Sequence, residues 1–140
     1  RSTLFPYTTL FRSSVLMLIS IVSNCLAQVV STTDLCNTEW VLRSPNCDGC
    51  KKFIAFTLSH KTDKVFFVEK QKTYNNKFDY YISPTIPKVF DKALVGKESK
   101  GKYIIQEVFG EVFWFEIQKL TKDELILHSK LGGTFCYSKK

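Results

Sequence analysis

Residues 102–131 read KYIIQEVFGEVFWFEIQKLTKDELILHSKL and alternate apolar with polar side chains through two successive turns. Alternation with a period of two is typical of a β-strand that buries one face. A two-residue turn at Gly110-Glu111 and the polar connection 121–123 divide the segment into three strands, which predicts a β-meander with one apolar face. The cross-strand pairs expected across the first turn are Val108 with Phe113, Gln106 with Phe115, and Ile104 with Ile117.

Short runs of β-forming residues recur along the chain after residue 38 and are separated by polar turns. Loop 44–50 contains Pro, Asn, Asp and Gly, and segments 59–63 and 71–77 are polar. Gly132-Gly133 is a strong hairpin signal, predicted to place Cys136 opposite Ser129. With the meander, these runs give eight antiparallel strands in up-and-down order, and closure into a barrel removes exposed edges. The five further strands are predicted at 39–43, 52–58, 64–70, 78–82 and 134–138.

Two segments depart from the strand pattern. Residues 28–35 form a polar lead-in that we expect to be mobile at its start. Residues 88–94, KVFDKAL, follow two prolines and have the apolar spacing of a short helix. The sequence therefore predicts an all-β, eight-stranded antiparallel up-and-down barrel with one short helix.

The first 27 residues are expected to lie outside this barrel domain. Residues 1–13, RSTLFPYTTLFRS, match the translation of a short-read sequencing adapter, so we expect the natural start to be missing. Residues 14–27 contain an uncharged apolar run and then Cys25-Leu26-Ala27, the pattern of a signal peptide cleaved before Gln28. Lipidation of Cys25 is the alternative. The domain is then 28–140, in a secreted or periplasmic protein.

The charged residues limit the expected partners. The chain has 20 Lys and Arg against 13 Asp and Glu, a net charge of +7, and loss of Arg1 and Arg12 leaves +5. Nearly all the remaining basic residues are lysines spread over turns and strand exteriors, whereas nucleic-acid binders cluster arginines and aromatic residues. We therefore expect no nucleic-acid partner, and no transmembrane segment after residue 27. The sequence leaves the oligomeric state open.

Two stretches resemble the small lipocalin-like proteins exported by Bacteroidota. Residues 38–42, TEWVL, are similar to the G-x-W-x-L start of their first strand, with Thr38 where glycine is usual. Residues 115–127, FEIQKLTKDELIL, are similar to their penultimate hairpin, and a signal peptide ending in Ala-Gln is common among them. The resemblance implies a β-barrel and no catalytic residues.

Four cysteines follow the expected cleavage site: Cys36, Cys47, Cys50 and Cys136. An even count in an exported chain of this size indicates disulfides. A closed barrel makes its first and last strands neighbours, so we expect Cys36 to pair with Cys136. Cys47 and Cys50 then form a second disulfide that tightens a loop, or stay reduced. Two alternatives remain open, a redox centre at Cys47 and Cys50 or a zinc site built from all four thiols.

The expected function is non-enzymatic binding of a small apolar ligand inside the barrel. The chain contains no Ser-His-Asp order, phosphate-binding loop or H-E-x-x-H motif, and we expect no cofactor. Aromatic interior residues suit an apolar ligand, although they also serve to fill a small core. The alternatives are a thiol-disulfide or metal protein and a surface interaction module with an exposed Trp114. The residues expected to line the ligand site are Trp40, Leu42, Ile104, Gln106, Phe113, Phe115 and Ile117.

Overall fold

Eight antiparallel strands close into a barrel in the computed structural model, which describes residues 28–140. Strands adjacent in sequence are adjacent in the wall, and the last strand closes the circle beside the first. The predicted all-β, up-and-down barrel is confirmed. The strands are β1 (Val30–Ser31), β2 (Thr38–Ser44), β3 (Cys50–Phe56), β4 (His60–Phe67), β5 (Lys72–Ser83), β6 (Lys100–Gly101), β7 (Tyr103–Val108), β8 (Glu111–Leu120), β9 (Glu124–Ser129) and β10 (Thr134–Lys139). The pair β1 and β6 forms a separate two-stranded sheet.

The residues ahead of β2 close one end of the barrel. A short helix, α1 (Thr32–Leu35), follows β1, and Ser31 and Asp34 form a capping box at its start. Val30 is 1% exposed and Leu35 0%, and both pack into the main core. Most of the predicted lead-in 28–35 is therefore structured, because the S-x-x-D pattern at Ser31 starts a helix, and Val30 and Leu35 fill this end of the barrel.

The short helix predicted at 88–94 is confirmed as a single turn. The structure has a single 3-10 turn there, Lys92–Leu94, because Asp91 keeps an extended backbone and caps only this turn. Phe90 packs on the outside of the barrel wall, with its ring 5.2 Å from that of Tyr81 and next to Ile105. This outer cluster holds the long connection between β5 and β6 against the wall.

The turn between β7 and β8 is Phe109-Gly110 and not Gly110-Glu111. Phe109 has φ 51° and Gly110 φ 81°, and two positive φ values in succession are what a type I′ hairpin requires. Gln106 consequently pairs with Phe113, two residues from the predicted partner. A slip of two residues keeps each side chain on its face, so the predicted apolar face still points inward.

The strands β4 and β5 extend into segments 59–63 and 71–77, which were predicted as turns. Lys61 pairs with Phe78 and Asp63 with Asn76 in this hairpin. Polar residues occupy both faces of the strands there, which removes the apolar alternation that reveals a strand.

The last hairpin also differs from its predicted register. Cys136 pairs with Ile126 and not with Ser129, because the turn that joins β9 to β10 is longer than Gly132-Gly133. Cys136 therefore lies on the alternate face from Phe135 and Tyr137, which pack with the main core.

Candidate functional site: a cavity in the open half of the barrel

The half of the barrel interior nearest α1 is filled by apolar side chains. Three of the seven predicted ligand-contacting residues lie in it, since Trp40 is 1% exposed, Ile104 0% and Ile117 2%. The indole of Trp40 donates a hydrogen bond to the hydroxyl of Thr38 at 2.8 Å, which satisfies the only polar atom of the buried Trp40 side chain. These three residues build the core that supports the site.

The opposite half of the interior contains a cavity of about 230 Å³. It holds roughly eight water-sized groups at the volume per molecule of liquid water. Phe115, Phe135 and Tyr137 contribute aromatic surface, and Lys61 and Asp63 contribute polar groups. The remaining lining residues are Lys52, Phe53, Ile54, Lys64 and Val65. Of the seven predicted residues, only Phe115 lines this cavity.

Lys61 is a buried cation at the wall of the cavity, with 2% of its side chain exposed. Its Nζ lies 2.5 Å from Oδ1 of Asp63, and it stands 4.8 Å from the ring centroid of Phe115 and 5.5 Å from that of Phe78. Burial lowers the pKa of Lys61, because desolvation disfavours the charged form, and the adjacent Asp63 carboxylate acts in the opposite direction. Aromatic faces and one carboxylate thus replace the water that the ammonium loses.

Tyr137 places its phenol in the same region, with 9% of the residue exposed. Burial raises the pKa of Tyr137, and the negative charge of Asp63 raises it further. The hydroxyl therefore stays protonated at neutral pH and can donate a hydrogen bond inside the cavity.

Gln106 is among the buried residues of β7 and is 3% exposed. Its Oε1 has no hydrogen-bond partner within residues 28–140. The neighbouring rings of Phe113 and Phe115 stand 5.2 Å apart on β8. Gln106 and Phe113 are not among the residues that line the cavity, so the structure brings only Phe115 of this group to the cavity surface.

The barrel wall has a gap between β2 and β3 at the open end. Their pairing runs from Thr38 with Phe56 to Val41 with Phe53 and stops there. Residues 42–44 and 50–52 of the two strands are consequently unpaired with each other. A groove of about 470 Å³ occupies this gap. Leu42 lines the groove, together with Val41, Arg43, Asn46, Cys47, Cys50, Lys51, Lys52, Phe53 and Lys140.

A disulfide links Cys47 to Cys50 in the loop that spans this gap. Cys36 and Cys136 are free thiols in the structure, so the predicted bond between them is wrong. Cys136 pairs with Ser44 at the far end of β2, whereas Cys36 precedes the start of that strand. Eight residues of extended chain separate the two ends, about 25 Å at ~3.3 Å per residue, so neighbouring strands do not bring these thiols together.

The alternative of a four-cysteine zinc site requires Cys36 and Cys136 to lie close together beside Cys47 and Cys50. It is wrong because Cys36 and Cys136 lie near opposite ends of β2. Within the part of the chain that the structure describes, no three His, Cys, Asp or Glu side chains are grouped as metal ligands. The disulfide loop leads directly into β3 and not into a helix, so it lacks the helix N-terminus that stabilises the thiolate in many redox centres.

Trp114 is half-buried on the outside of the wall, with its indole ring 5.7 Å from the ring of Tyr103. The predicted exposed Trp114 surface is therefore partly covered. The fully exposed apolar side chains lie elsewhere, with Phe109 at 103% and Leu131 at 83%, both on hairpin turns.

Lys61 and Asp63 were missed by the sequence reading because residues 59–63 were assigned to a turn. The available signal was the K-x-D-x-V pattern of residues 61–65, in which every second residue points to the same face. A lysine and an aspartate two residues apart on an inward face indicate a paired charge, because a charged side chain is buried only with a partner.

The chain was compared with protein-family models, curated proteins and solved structures, and none of them matches it. Among residues 28–140, no helix has the length and apolar character needed to cross a membrane.

Proposed function

We propose that this protein is an exported, non-catalytic binding protein that holds a small, largely apolar molecule in the open half of its barrel. The observation that carries the proposal is the cavity of about 230 Å³ between Phe115, Phe135 and Tyr137. Concave sites with aromatic walls and a few polar groups are where small ligands bind.

The position of the cavity supports the same function. Leu35 and Trp40 belong to the packed half, so a ligand that enters from the open end is supported by a filled core beneath it. The disulfide between Cys47 and Cys50 supports an oxidising compartment, in agreement with export.

The test is isothermal titration calorimetry with 1-octanol, whose eight carbons match the size of the cavity. We expect saturable binding with one site per chain. Val65 lines the cavity, so Val65→Phe fills part of it and should weaken binding at least about tenfold, the equivalent of two methylene groups lost from apolar contact.

Val68→Phe is the matched control, because Val68 is 43% exposed beyond the end of β4. It should bind 1-octanol as the unmodified protein does. Absence of saturable binding, or equal weakening by both substitutions, would contradict a ligand in the barrel.

A further inference from the structure

The groove between β2 and β3 combines positive charge with access to the barrel cavity. Arg43, Lys51, Lys52 and Lys140 line it, and no Asp or Glu side chain does. Lys52 and Phe53 line both the groove and the cavity, so the two spaces adjoin at these residues.

Three of the four cations have no counter-ion. Arg43 uses its Nε to donate a hydrogen bond to Ser138 at 2.6 Å, and no ion pair within residues 28–140 includes Arg43, Lys51 or Lys52. Lys140 differs, because its Nζ lies 3.1 Å from Oε1 of Glu39. The groove thus presents three uncompensated positive charges at the edge of an apolar space.

The gap in the wall explains why these charges meet. Beyond Val41 and Phe53 the two strands no longer exchange hydrogen bonds, and side chains of both strands border the opening. The disulfide of Cys47 and Cys50 restrains the loop that joins them and keeps this edge of the opening in place.

We infer that the ligand is an anionic amphiphile, with its apolar chain in the barrel cavity and a phosphate, sulfate or carboxylate group in the groove beside Arg43, Lys51 and Lys52. This inference rests on the proposed function and adds the chemistry of the head group. Arg43 supplies planar paired donors that suit these anions, and the two lysines add mobile positive charge.

The experiment compares octyl phosphate, 1-octanol, octyltrimethylammonium and inorganic phosphate by calorimetry on the full chain. We expect octyl phosphate to bind at least about tenfold more tightly than 1-octanol, and this margin to shrink as added salt screens the exposed charges. Octyltrimethylammonium should bind more weakly than 1-octanol, because the groove repels a cation.

The variant that tests the head-group site replaces two charges at once, Arg43→Gln and Lys51→Gln, and keeps Lys52 because that residue also lines the cavity. It should remove most of the advantage of octyl phosphate and leave the affinity for 1-octanol within about twofold, since neither residue lines the cavity. The matched control carries Lys88→Gln and Lys92→Gln, which remove the same charge from exposed sites on the connection between β5 and β6. The control should keep the advantage.

Each other outcome overturns a defined part of the inference. Equal affinity for octyl phosphate and 1-octanol removes the anionic head group and leaves the proposed function standing, whereas no binding of either removes both. Inorganic phosphate that binds as tightly as octyl phosphate makes the groove an anion site unconnected with the cavity. Binding to vesicles containing phosphatidylglycerol without binding of octyl phosphate assigns the charges to a lipid surface and rejects a chain in the barrel.

Discussion

At the scale of single residues, burying Lys61 in the interior depends on contacts that replace the hydration of its charge. The Lys61 side chain is 2% exposed, while the Asp63 side chain that compensates its charge is 34% exposed. The pair therefore spans the boundary between the dry interior and the open end. A buried charge is tolerated only when a partner and further polar or aromatic contacts replace its hydration.

Asp63→Asn should destabilise the barrel at neutral pH by about 2 kcal/mol. The substitution leaves the Lys61 charge buried and uncompensated, and the usual cost of breaking a buried pair is reduced because Asp63 is partly solvated. The double variant Lys61→Met and Asp63→Asn should recover most of the loss, since no charge is then buried. Urea unfolding with the disulfide intact measures both changes.

Asp79→Asn is the control for a surface pair, because Asp79 contacts His60 at 3.1 Å with 54% of its side chain exposed. It should change stability by no more than about 0.5 kcal/mol. If Asp63→Asn lowers the free energy of unfolding no more than this control does, the pair of Lys61 and Asp63 does not stabilise the barrel.

Gln106 carries an unsatisfied buried oxygen, so replacing it with an apolar side chain of similar shape should help the unliganded protein. We expect Gln106→Met to raise the free energy of unfolding by about 1 kcal/mol. Gln118→Met, the same change at an exposed position, should be neutral. A loss of stability in Gln106→Met, measured by urea unfolding, would mean that Oε1 is satisfied in solution.

At the scale of elements, the connections determine what the strands can hold. α1 fills one end of the barrel, and the connection between β5 and β6 packs against the outside of the wall through Phe90. The loop between β2 and β3 is closed by its own disulfide. The ends of β2 and β3 next to this loop are not hydrogen-bonded to each other, so the loop needs another restraint. The disulfide between Cys47 and Cys50, which closes a four-residue loop, supplies that restraint.

Removing this disulfide with Cys47→Ser and Cys50→Ser should lower the free energy of unfolding by about 2 kcal/mol. The chain-entropy model gives this value for so short a loop. Cys136→Ser should have a small effect, because Cys136 carries a free, half-buried thiol. Thiol titration of the denatured, unreduced domain should find Cys36 and Cys136 reactive. Four protected thiols would contradict the observed pairing.

At the scale of the whole molecule, stability should fall in alkaline solution because the barrel buries protonated phenols. Burial raises the pKa values of Tyr80 and Tyr137. Above pH about 10 the unfolded chain loses these protons while the folded barrel retains them, so the free energy of unfolding declines as pH rises. Lys61 has the opposite effect below that pH. Because burial lowers the pKa of Lys61, the folded protein releases this proton at a lower pH than the unfolded chain does, and the free energy of unfolding rises with pH over that interval.

Tyr137→Phe should make the alkaline decline shallower, whereas Tyr74→Phe, at a residue that is 53% exposed, should leave it unchanged. Unfolding followed by circular dichroism from pH 8 to pH 12 tests both variants. An unchanged slope in Tyr137→Phe would show that its phenol ionises equally well in the folded and unfolded states.

The eight strands of the barrel, their antiparallel order, closure of the barrel and its apolar inner face followed from the sequence, because period-two alternation and short turns are local properties. The capping box at Ser31 was present in the sequence, but only the structure shows that Leu35 plugs the barrel. Tertiary structure also decided the separation of Cys36 from Cys136 and the burial of Lys61 against Phe115. Those contacts depend on how strands are staggered and where their pairing stops, and these distances are set only when the entire wall has closed.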